Sequence, residues 1–157
     1  MAMADPFTII VDTREQMPWE FGHHTTSRHK LDTGDYSIIG FEDVLAIERK
    51  RSVSEIATNL TESRFPDVLK RLSLIKHPFI ICEFTLDEIY RFPEGSDIPQ
   101  SKRDKLRISG KYIVKRLLEI QMDYNIPIYF CEDHDLAERF AVSIMKRIYE
   151  RYNSTRR

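Results

Sequence analysis

Two strand-like runs, Asp35–Ile39 and Val44–Lys50, flank the four residues Gly40–Asp43. Connections of four or five residues are common in hairpins, so this segment is expected to fold as one. If Ile39 pairs with Val44, the register sets Asp35 directly across from Glu48. Side chains paired in this way have Cβ atoms about 5 Å apart. Alternation along the strand places Glu48 and Lys50 on that same face. It sends Leu45 and Ile47, together with Tyr36 and Ile38, toward a core. A slip of one residue would turn Glu48 away from Asp35.

The flanking sequence supplies layers for this hairpin. Phe7–Val11 is a short β-branched run that stops at Asp12-Thr13-Arg14-Glu15, which reads as a buried strand with polar residues at its carboxyl end. Residues 16–33 show no periodicity and are expected to be irregular. Ser52-Val53-Ser54-Glu55 has the capping-box pattern and opens a helix through about Leu60. A second helix is expected from Arg64 or Pro66 to Ile75, with Val68, Leu69, Leu72 and Ile75 as its apolar stripe. Phe79–Phe84 is a continuous apolar run and reads as a central strand. Residues 86–107 read as a short helix followed by an exposed basic loop. A helix over Ile108–Tyr124, a strand over Ile126–Cys131 and a helix capped by Asp133 and running to about Tyr152 complete the chain. The order predicts an α/β fold, a small mixed sheet flanked by helices. With 157 residues one domain is expected over 1–157, with residues 1–6 and 153–157 frayed.

Composition narrows the function. Lys and Arg number 24 against 25 Asp and Glu, so nucleic-acid affinity cannot come from bulk charge and needs local basic patches. Cys82 and Cys131 lie in apolar runs and read as free thiols in a reducing compartment. No apolar run approaches the ~20 residues of a membrane span. The amino-terminal residues match neither a signal nor a transit peptide, so a cytoplasmic location is expected.

The hairpin carries chemistry. Hydrolysis of a phosphodiester needs an attacking hydroxide, neutralisation of charge on phosphorus and help for the leaving oxygen, and a divalent cation supplies much of this. Mg²⁺ takes oxygen ligands, typically one or two carboxylates with water and substrate phosphate. Asp35 and Glu48 meet that need, and Lys50 can activate water or stabilise developing charge. On spacing alone the same pattern serves equally as a solvated hairpin face with a cross-strand salt bridge.

Gly34-Asp35-Tyr36 followed by Ile47-Glu48-Arg49-Lys50 resembles the signature of the XPF-type nuclease domain, a branch of the restriction-endonuclease-like fold. Val11-Asp12-Thr13-Arg14-Glu15 resembles the motif that precedes it in that family. Ser63-Arg64-Phe65 and Ile80-Ile81-Cys82-Glu83 resemble the blocks that follow, and the resemblance covers roughly residues 7–150. It implies a Mg²⁺- or Mn²⁺-dependent DNA endonuclease acting near junctions of double- and single-stranded DNA. Asp35 and Glu48 match the metal-binding acids and Lys50 the catalytic lysine. Asp12, Arg14 and Glu15 match positions that line the site, and Arg49 is part of the signature although a simple strand points it away from Glu48. The family's next acid falls six positions after the signature glutamate, which here is Ser54. Glu55, one residue later, is the candidate replacement. The chain is similar to short stand-alone versions from phages and bacteria, without the helix-hairpin-helix domain of eukaryotic and archaeal members. A homodimer or a separate DNA-targeting partner is therefore also implied.

Arg51 and Arg64 are the nearest candidate DNA contacts by motif. Lys102, Arg103, Lys105 and Arg107 form the strongest basic cluster elsewhere. His23, His24 and His29 share one loop, but no acid or cysteine stands at ligand spacing. That makes a mobile or exposed loop the better reading. Trp19 is read as a core plug rather than a base-stacking surface. Two further readings remain open: a non-catalytic DNA-binding or scaffolding module of the same fold, and a resolvase or restriction-type nuclease.

Overall fold

The structure is a computed structural model that describes residues 6–154. Six strands, β1 (Ile9–Asp12), β2 (Thr26–His29), β3 (Tyr36–Ile38), β4 (Leu45–Lys50), β5 (His77–Cys82) and β6 (Ile128–Phe130), form one sheet in the order β2-β1-β3-β4-β5-β6. β3 runs antiparallel to both of its neighbours, while β2, β5 and β6 pair parallel to theirs. The helices are α1 (Val53–Asn59), α2 (Phe65–Ser73), α3 (Leu86–Arg91), α4 (Gln100–Arg103), α5 (Gly110–Tyr124) and α6 (His134–Ser154). This is a mixed α/β architecture of the restriction-endonuclease-like type.

The hairpin has the expected register: Tyr36 pairs with Ile47, the same offset that sets Ile39 against Val44 and Asp35 against Glu48. Both faces of the sheet are covered, and alternation sorts the residues between them. Ile9, Val11, Tyr36, Ile38, Leu45, Ile47 and Ile81 pack with Trp19 and Phe21 against α6. Ala46, Ile80 and Cys82 pack on the other side against Ile56, Leu69, Leu72, Ile113 and Leu117. Each burial of a large aliphatic side chain contributes about 1.5–3 kcal/mol before entropy is counted.

Helix starts follow local chemistry. The Ser52 hydroxyl accepts the Glu55 amide at 3.1 Å, which caps α1. The Glu55 carboxylate turns to the Arg51 amide at 3.3 Å instead of closing a reciprocal capping box. Asp133 caps α6 through the Leu136 amide at 2.9 Å.

Several segments differ from the sequence reading. Residues 26–29 are a strand, not part of an irregular stretch. Thr26-Ser27-Arg28-His29 pairs parallel with β1 at the sheet edge and is mostly exposed, so it lacks the apolar alternation that marks a half-buried strand. β5 begins two residues before Phe79. α5 starts at Gly110 because Ser109 takes the cap, accepting the Tyr112 amide at 3.2 Å. Part of the expected basic loop is helical in α4. Of the ends expected to fray, residues 1–5 and 155–157 lie outside the described residues, and Asn153 and Ser154 continue α6.

Gly110 marks the tightest helix contact. A Cβ there would stand 2.2 Å from the Ile89 carbonyl oxygen and 2.7 Å from that of Tyr90, at the end of α3. Backbone atoms cannot yield as a flexible side chain would. Gly110→Ala is therefore expected to destabilise the fold by about 2 kcal/mol. Thermal denaturation checks this: the variant should melt several degrees below the parent.

Candidate active site

The sheet brings its polar residues to one end. Asp12 closes β1, Asp35 precedes β3, and Glu48 and Lys50 lie in the last half of β4. Asp12, Arg14, Asp32, Thr33, Gly34, Asp35, Glu48, Val68 and Arg71 line one cleft of about 200 Å³. Gly34 makes the approach possible. Its φ is +82°, and a Cβ would lie 3.2 Å from both Ala46 Cβ and the Ile47 carbonyl oxygen. Only glycine combines that conformation with that closeness to β4.

Asp35 stands on the cleft wall. Its Oδ2 accepts the Arg49 amide at 2.7 Å, and its own amide donates to the Ile47 carbonyl at 2.7 Å. Burial first, then the nearby carboxylates of Glu48 and Glu15, hold its carboxyl well above the usual carboxylate range. The Arg49 amide and Lys50 only partly offset them. Lys50 Nζ is 3.4 Å from Glu48 Oε1 and 5.5 Å from the Phe65 ring centroid, so its ammonium is braced by an aromatic face and an acid. Among the described residues Asp35 Oδ1 and Glu48 Oε2 have no protein hydrogen bond. Two neighbouring acids, each with one oxygen uncommitted, fit a divalent cation.

Asp12 behaves differently. Arg14 Nε donates to its Oδ2 at 2.9 Å and Arg14 Nη2 to its Oδ1 at 3.3 Å. The amides of Leu31 and Arg14 add donors at 2.8 and 3.2 Å. Burial pushes Asp12 up, but these partners outweigh it and hold the carboxyl below its ordinary value. Asp12 therefore fixes Arg14 and residue 31 against the cleft.

Arg49 faces the opposite side of β4, toward α6, and is 5% exposed. Its Nε donates to Glu83 Oε1 at 2.5 Å. Its Nη1 donates to the Met17 carbonyl at 2.9 Å, and to Glu15 Oε2 and the Tyr36 hydroxyl, both at 3.3 Å. The guanidinium lies 5.0 Å from the Trp19 ring centroid. Trp19 is a buried plug, stacked on Tyr36 at 4.6 Å, and its Nε1 donates to Glu83 at 2.8 Å. Burial, then the bond to Glu15, push the Tyr36 hydroxyl far up. Sequence reasoning does not single out Glu83 as a site residue. Its available signal is an acid closing the apolar run Phe79–Cys82.

The remaining candidates sit apart from the two acids. Arg51 lines another cavity, of about 520 Å³, with Ser52, Glu83, Glu88 and Arg91 and stands 3.9 Å from Glu55. Arg64 pairs with Glu62 at 2.6 Å in solvent. Arg103 is occupied by the carbonyls of Ile98 and Ser96. Lys102, Lys105 and Arg107 lie outside the cleft lining, and Lys102, Lys105 and Arg107 are exposed. His29 lies on β2, and the rings of His23 and His24 lie 4.3 Å apart. A second group is likewise absent from the sequence reading: His134, Asp135 and Glu138, at the start of α6, have ligand atoms within 4.8 Å of one another. They are able to coordinate a divalent cation. The i, i+4 spacing of His134 and Glu138 on a helix is the available signal.

Known proteins share this fold. The family model described as ERCC4 domain matches residues 11–144. XPF from Aeropyrum pernix has a similar fold, with 21% identity and a TM-score of 0.67 over 95% of this chain and 68% of that one. The structure described as XPF from Aeropyrum pernix, complex with DNA, gives 20% identity and a TM-score of 0.63 over 92% of this chain and 66% of that one. No curated protein sequence matches. The chain belongs to the ERCC4-domain family, the XPF-type nuclease domains.

Proposed function

We propose that this protein is a Mg²⁺- or Mn²⁺-dependent DNA endonuclease that hydrolyses phosphodiester bonds in branched DNA of the fork or flap type. The observation that carries the reading is the cleft pair, Asp35 across from Glu48, with Lys50 on the same face. DNA as the substrate draws on the family and on the related XPF described in complex with DNA.

In this reading Asp35 and Glu48 would hold the cation. A bound cation would supply Lewis acidity, lowering the pKa of water and offsetting charge on the phosphodiester. Lys50 orients the attacking water and takes up negative charge as the phosphorus becomes five-coordinate. The Arg49 amide keeps Asp35 turned toward Glu48, and the buried Arg49 side chain keeps β4 from rotating. Arg14, fixed by Asp12, presents positive charge at the cleft mouth. A second copy of the chain or a separate DNA-targeting protein would supply the choice of junction.

Asp35→Asn and Lys50→Ala are each expected to lower cleavage of labelled fork DNA by about 10³-fold or more with the fold retained by circular dichroism. Cutting by both at the parent rate would rule out this assignment. Loss of Mn²⁺ binding in Glu138→Gln but not in Asp35→Asn would move the metal site to the start of α6. A panel of duplex, single-stranded, flap, fork and four-way DNA, with Mg²⁺ and with EDTA, tests the substrate class.

The raised carboxyl of Asp35 gives a pH dependence. A carboxyl whose folded pKa lies above its unfolded one stabilises the fold at low pH and loses that contribution as pH rises through the folded value. In EDTA, Asp35→Asn is therefore expected to melt above the parent at neutral pH, with the gap closing in the ordinary carboxylate range. Mn²⁺ affinity of the parent should rise with pH, because binding displaces the Asp35 proton. Calorimetric titration at several pH values measures both affinity and proton release.

A further inference from the structure

We infer that Arg71 is a substrate-contacting residue that holds a backbone phosphate of the cleaved strand inside the cleft. The inference rests on the nuclease reading above and adds a residue that the signature motifs do not contain.

The cleft lining holds four acids, Asp12, Asp32, Asp35 and Glu48, and two cations, Arg14 and Arg71. Acids outnumber cations in that lining, so a phosphodiester there needs positive charge beside it. Arg14 is already committed: its Nε and Nη2 serve Asp12, and Nη2 also donates to the Leu31 carbonyl at 2.7 Å. Arg71 has no side-chain hydrogen bond or ion pair among the described residues, although acids stand across the same cavity. It projects from the last turn of α2, one turn after Val68, which also lines the cleft. The helix is anchored by buried Phe65, Leu69 and Leu72, so the position of Arg71 along the cleft is fixed.

Size limits what Arg71 can do there. Arg71, Asp35 and Glu48 border the same cavity of about 200 Å³. A phosphate seated against Asp35 and Glu48 would therefore lie in a cavity that Arg71 also lines. A guanidinium suits this contact, because its planar fork meets phosphate oxygens in two parallel bonds and is weakly hydrated. The competing explanation is that a basic residue in the last turn of α2 merely complements the helix dipole. Such a residue would affect melting but not substrate binding.

The test compares the parent with Arg71→Ala, Arg71→Gln and Arg71→Lys. Cleavage of fork DNA in Mg²⁺ gives KM and kcat. Fluorescence anisotropy with the same DNA in Ca²⁺, over a salt series, gives affinity and its salt slope. Arg71→Ala and Arg71→Gln should raise KM and Kd about tenfold with kcat little changed. They should also reduce the slope of log K against log salt by about one. Arg71→Lys should recover the salt slope and only part of the affinity. Unchanged KM and salt slope in variants of an active parent would overturn the inference alone, as would a loss confined to melting temperature. A parent that neither binds nor cuts any DNA of the panel would overturn the nuclease reading and this inference with it.

Discussion

The structure turns on a buried guanidinium. Arg49 is removed from water on the α6 side of the sheet, where an unmatched charge would cost several kcal/mol. It is matched by Glu83 from the end of β5, by Glu15 and the Met17 carbonyl from the loop after β1, and by the Tyr36 hydroxyl of β3. A lysine could not replace it, because a single ammonium cannot reach partners spread around a planar fork. The constraint passes directly to the cleft. Side chains alternate along β4, so holding Arg49 against Trp19 obliges Glu48 and Lys50 to face α2. The residue pointing away from the chemistry is the one that aims it.

The two aspartates of adjacent strands show how environment divides one residue type into two roles. Asp12 meets four donors and is held low. Asp35 is held high by burial first and then by two neighbouring acids, with one amide donor opposing them. The first is finished as a structural anion. The second is still electrostatically unsatisfied, and that imbalance is what suits it to the cation-binding role proposed for it.

Much of this is legible in the chain. The hairpin register follows from placing four residues between two apolar-polar alternations, and it brings Asp35 to Glu48 as expected. The caps at Ser52 and Asp133 and the stripe Ile113-Leu117-Ile120 follow from short-range rules. What escapes is long-range or featureless. β2 is polar throughout and exists because β1 offers it an edge. Glu83 takes its role from meeting Trp19 and Arg49, from 64 and 34 residues away, and no local pattern announces that. Arg71 looks like any basic residue late in a helix until the cleft is seen around it.

The sheet separates its two ends. Asp12, Asp35, Lys50 and Glu83 gather at one, while the β3–β4 turn, Gly40–Asp43, lies at the other. Phe41 is buried there, but the tip at Glu42 and Asp43 is exposed to solvent. Loop closure costs grow only slowly with length, so the chain can be lengthened at that tip, or interrupted by a whole inserted module, without disturbing the spacing of the acids. That exposed tip is as remote from the proposed site as the sheet allows, and on the same hairpin.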